Sequence, residues 1–158
     1  MKIGFVKELP SQDGSSSYIP YYDRFIMGGN GIPYGNPLRG YDDNRVGPVT
    51  FNGNPIGGNA MIKLSTEFRV PFAENPVVYG LIFAEMGNVW SSGDLMERLS
   101  LPRSGPLDLK RSVGAGIRFF MPMIGMLGFD IGYGFDRVDQ YGELAPAWKT
   151  TLTFGQQF

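Results

Sequence analysis

MLGFDIGYGFD, Met126–Asp136, is the stretch on which the fold turns. Leu127, Phe129, Ile131, Tyr133 and Phe135 take every second position, and Gly128, Asp130, Gly132, Gly134 and Asp136 fill the places between. Side chains in an extended chain point alternately to opposite faces, so this period of two marks a strand with one oily and one nearly bare face. The same alternation recurs on both sides. In RSVGAGIRFFMP, Val113, Ala115, Ile117, Phe119 and Met121 alternate with Ser112, Gly114, Gly116 and Arg118. In NAMIKLSTEFRVP, Ala60, Ile62, Leu64, Phe68 and Val70 lie opposite Lys63, Ser65, Glu67 and Arg69. The final WKTTLTFGQQF sets Trp148, Leu152, Phe154 and Phe158 against Lys149, Thr151, Thr153, Gly155 and Gln157. Two less regular strands, Lys2–Lys7 and Val77–Trp90, bring the expectation to six, with no helix.

Composition narrows the function. The 158 residues suffice for one sizeable domain, and the net charge of −1 lacks the basic excess of a nucleic-acid partner. There is no cysteine and no histidine. Disulfides and thiolate metal sites are therefore excluded, and zinc, copper and general-base chemistry lose their best side chains. The 23 glycines and 12 prolines favour strands and turns over long helices. The longest uncharged apolar run, Phe119–Phe129, is broken by Pro122 and Gly125 and falls short of the roughly 18 residues of a membrane helix. MKIGFVKELP at the N-terminus lacks a signal-peptide core.

A soluble antiparallel sheet also alternates. Three features favour a membrane barrel instead. The oily faces run for about 10 residues per strand, near the span of a tilted transmembrane strand. The opposite faces carry Gly, Ser, Thr and charges, which suit a polar lumen and pack poorly in a soluble core. Aromatics at strand ends (Trp90, Trp148, Tyr133, Phe135, Phe158) fit an interfacial girdle. The connections alternate long and short: 9–58, then 71–76, 91–110, 122–125 and 137–147. Short periplasmic turns and longer extracellular loops are the outer-membrane pattern.

The order GGN, LRGY, GP, GGNA and TEF, followed by FAEMGNVW, SVGAGIRFFMP, GFDIGYGF and LTFGQQF, resembles the C-terminal end of the BamA outer-membrane assembly factors in the bacterial surface antigen family. It covers residues from about Tyr21 to Phe158. The resemblance implies a sixteen-stranded barrel preceded by periplasmic transport-associated domains. This chain would then be the C-terminal part of the barrel domain, giving about six strands (the last five about 59–71, 77–90, 111–122, 125–136 and 147–158). Residues 9–58 would be a long extracellular loop folding back inward. It further implies that the loop element Leu38, Arg39, Gly40 and Tyr41 lies in the lumen, with Arg39 meeting Glu67 and Glu85. Glu67 is reached independently, since it lies on the polar face of its strand. Glu85 departs from the family, which often has Asp there.

The remaining motifs carry less. Asp42–Asn44 lacks the glycine and distal glutamate of a calcium loop, and the glycine-rich stretches lack the GK[ST] of a phosphate loop. No carboxylate pair is marked as catalytic, so neither an enzyme, a cofactor nor a metal is expected. Leu152, Phe154, Gly155 and Phe158 resemble the terminal strand signal of outer-membrane proteins, a strand edge ready to pair with another. An interfacial anchor explains the same aromatics. The function expected from the resemblance is folding and insertion of β-barrel proteins in the bacterial outer membrane. Its partners would be outer-membrane lipid, nascent outer-membrane proteins and periplasmic or lipoprotein accessory subunits. A protein-secretion pore, the membrane anchor of a patatin-like lipase and a small eight-stranded barrel are the alternatives. Six strands cannot close, so the chain is expected to be an N-terminally incomplete piece of a barrel.

Overall fold

The structure, a computed structural model, describes residues 1–7, 19–32, 34–50, 54–91, 108–123, 125–138 and 143–154. Six strands form one sheet: β1 (Lys2–Phe5), β2 (Ala60–Glu74), β3 (Val77–Trp90), β4 (Lys110–Met121), β5 (Gly125–Gly134) and β6 (Ala147–Phe154). Each pairs antiparallel with its neighbour in sequence, giving an open up-and-down meander in the order β1 to β6. The only helical turn among the described residues is Tyr21–Asp23. β2 runs through Pro71, where the sequence pattern expects it to end, and on to Glu74. A register shift between Pro71 and Ala73 absorbs the proline, which cannot donate to a regular ladder. The link to β3 thereby shrinks to Asn75–Pro76.

The pairing arranges side chains in rows across the sheet. On one face lie Ser65, Glu85, Ser112, Gly134 and Ala147, then Glu67, Phe83, Gly114, Gly132 and Lys149. A third row holds Arg69, Leu81, Gly116, Asp130 and Thr151. We call this the inner face, because the long loop covers it. The outer face carries the rows Phe68, Ile82, Ala115, Ile131, Thr150 and Val70, Gly80, Ile117, Phe129, Leu152. These outer apolar side chains are exposed, Ile82 at 60% and Leu152 at 55%. A continuous exposed apolar surface of this kind needs a non-aqueous neighbour. Tyr133 packs edge-on against Phe135 and beside Trp148, clustering aromatics at the long-loop rim.

The hydrophobic core lies between loop and sheet. Met27, Leu38, Tyr41 and Val46 from the loop pack with Met61 of β2 and Val89 of β3, and Phe25 joins them. The loop has its own backbone order, with bridges between Met27 and Val46, Gly29 and Leu38, and Phe25 and Gly58. The upper inner wall is consequently apolar, whereas alternation alone suggests a polar face throughout. Met61 and Val89 point inward because the loop, and not water, covers them.

Candidate functional site

Arg39 lies at the centre of a buried charge cluster. Its Nη2 is 2.6 Å from Glu67 Oε1 and 2.8 Å from Glu85 Oε1, and its Nη1 is 3.6 Å from Asp130 Oδ2. The Arg39 backbone N–H also donates to Glu85 Oε2 at 2.9 Å. Beneath the guanidinium lies the Phe83 ring, with Cζ 3.7 Å from its centroid, a cation–π contact in a desolvated place. The Glu85 and Asp130 side chains are 2% and 1% exposed, and carboxylates buried this deeply need paired cations. Each has a second cation. Lys63 Nζ lies 3.5 Å from Glu85, and Arg118 holds Asp130 through two 2.6 Å hydrogen bonds. Glu67 is shared with Arg69. A planar fork with five donors suits such a junction, and an ammonium would not.

Glycines let the loop come this close. Gly40 has a φ of 87°, a left-handed conformation costly for any residue with a Cβ. Its backbone lies directly on β5, where a Cβ on Gly132 would fall 2.8 Å from Gly40 N and one on Gly134 2.5 Å from Gly40 O. The bare inner face of β5 is thus the seat of the loop. Tyr41 fixes the next position: its hydroxyl donates to Arg111 O at 2.7 Å and accepts the Asp136 N–H at 3.3 Å. Burial pushes its pKa up to about 12 against the opposing effect of these bonds. Leu38, on the other side, is wholly buried in the core.

Leu38, Arg39, Gly40, Tyr41, Glu67 and Glu85 therefore meet at one place. Asp130, Arg118 and Phe83 belong there too and were not singled out from the sequence. Asp130 and Arg118 carry a usable signal. The short β4–β5 link pairs Gly116 with Asp130 and Arg118 with Gly128, which puts arginine and aspartate on one diagonal. Phe83 has no such mark, because β3 is apolar on both faces from Val77 to Ala84. Leu152 and Phe154 lie on the outer face of β6, away from the cluster, and Gly155 and Phe158 fall outside the described residues. Among the described residues, no group of three or more acidic side chains is placed to hold a metal ion.

Among solved structures, the chain is similar to the crystal structure of BamA from Haemophilus ducreyi lacking POTRA domains 1–3. The two are 21% identical with a TM-score of 0.61, and the match covers 85% of this chain and 28% of that one. The likeness is one of fold, and this chain spans a little over a quarter of the length of that protein. The model of the Omp85 superfamily domain matches residues 4–158, and the chain belongs to the Omp85 superfamily.

Proposed function

We propose that this chain forms part of the wall and the inward-folded loop of a bacterial outer-membrane β-barrel that folds and inserts other β-barrel proteins, with no enzymatic chemistry of its own. The observation that supports this most is that the loop fills the inner face at its long-loop end. Met27, Leu38, Tyr41 and Val46 pack onto Met61 and Val89, and Arg39 fastens the loop to three strands at once. A conduit for soluble cargo needs an open wet path, and this loop occupies that path at the long-loop end. Among the described residues β6 pairs on one side only, and the backbone groups of its other edge can receive another strand. On this reading the outer rows face lipid, and the partners are nascent outer-membrane proteins and periplasmic or lipoprotein accessory subunits.

The test is reconstitution. The full-length protein in lipid vesicles should speed the folding of a small unfolded outer-membrane protein over protein-free vesicles, read by the gel shift of heat-modifiable barrels. Equal folding rates, with an unfolded polypeptide instead passing into the vesicles, would move the assignment to a secretion pore.

A further inference from the structure

Three residues beyond Arg39, the loop makes a contact of opposite sign. Asp42 Oδ2 accepts from Arg137 Nη2 at 2.7 Å, and its Oδ1 accepts from Lys149 Nζ. Arg137 lies just after β5, and its aliphatic stem covers Gly134. Lys149 stands on the inner face of β6, paired with Gly132. In four residues the loop thus brings a cation to the acidic carboxylates of β2, β3 and β5, and an anion to the basic groups at β5 and β6. Between them, Gly40 rests on Gly132 and Gly134.

We propose that Asp42 is a positioning residue that couples seating of the loop to docking of β6 on the sheet. Among the described residues, β6 is hydrogen-bonded to the sheet on one side only, through β5. Asp42 gives it a second attachment, through side chains, that exists only while the loop is seated. Linkage makes the effect reciprocal: what holds β6 in place must also hold the loop, and by the same factor. Without Asp42, Arg137 and Lys149 are two like charges converging on one point. This coupling is independent of what the barrel transports or inserts.

Hydrogen exchange on the full-length protein in lipid vesicles tests it, followed in β6 (150–154), in the loop (38–46) and, as a reference, in β4. Exposed and half-exposed ion pairs shift equilibria by modest factors, so Asp42→Asn should speed exchange about three- to tenfold in both loop and β6. β4 should be unchanged, and Asp42→Glu should stay near wild type. Lys149→Met should speed exchange in the loop, although it lies outside it. The double variant should be no more severe than Asp42→Asn, because Lys149 acts through Asp42 and its removal also relieves the like charge beside Arg137. If Asp42→Asn does not fold, Lys149→Met alone carries the test. Faster exchange confined to the loop, confined to β6, or seen in neither overturns the proposal.

Discussion

At Arg39 one side chain holds apart what would otherwise repel. Glu67, Glu85 and Asp130 converge on it, and two of them have almost no contact with water. Arg39→Ala leaves those carboxylates with Lys63, Arg69 and Arg118 alone, and breaking a buried pair in this way costs on the order of 3 kcal/mol. The loss should fall on the loop more than on the strands, because the strand ladders stay intact. Limited proteolysis of the full-length protein should show faster cleavage within residues 19–59 while the folded barrel persists. Arg39→Lys should restore only part of the protection, since an ammonium cannot reproduce the fork or its stacking on Phe83. Asp42 adds a dependence on pH. Burial raises its pKa, but the hydrogen bonds from Lys149 and Arg137 outweigh this and hold it below its ordinary value. Asp136 is lowered as well, chiefly by its hydrogen bond from Arg111. A depressed carboxylate contributes stability that is present above its unfolded pKa, about 4, and is lost as pH falls through the folded value. Loop protection should therefore hold from pH 7 to about 4.5 and weaken below; a loss between pH 7 and 5 would contradict this origin.

The strands show which parts of such a fold a sequence reveals. β4 and β5 alternate cleanly and β6 does so apart from Thr150, so their facing follows from period two. β3 does not, because Leu81 and Phe83 face the cluster while Ile82 and Ala84 face outward, and both sets are apolar. The glycines of β5 are visible in the sequence, but their meaning is tertiary: they read as a bare lumenal face and serve as the bed of Gly40. No local pattern carries that information, since the partner lies some ninety residues away. Gly132→Ala tests it. The added Cβ would sit 2.8 Å from the Gly40 nitrogen, a backbone atom that cannot rotate aside. Overpacking of this kind costs about 1–3 kcal/mol. The loop should lift while β5 keeps its pairing with β4 and β6. A cysteine pair bridging loop and β5 should form its cross-link more slowly in Gly132→Ala, and an unchanged rate would show that the seat has room to spare.

For the molecule as a whole, the question is which medium bathes the outer rows. The sheet is open: among the described residues, β1 and β6 each pair on one side only. In hydrocarbon, bare N–H and C=O groups cost several kcal/mol each, so these two strands need partners beyond the six before the wall can sit in lipid. The alternating pattern conveys this exterior well, because apolar residues on an outward face have no core to enter. Ile82 lies mid-row, flanked by Phe68 and Ala115, and is 60% exposed. In water, Ile82→Arg would be close to neutral, as surface substitutions usually are, within about 0.5 kcal/mol. In a bilayer an arginine near the midplane costs about 2–4 kcal/mol. Thr153→Arg, on the inner face beside Gly128, should be tolerated in either medium. Urea titration of the full-length protein folded into vesicles separates the cases. A large loss for Ile82→Arg beside a small one for Thr153→Arg assigns the outer rows to lipid, and equal small losses would remove the membrane from the account.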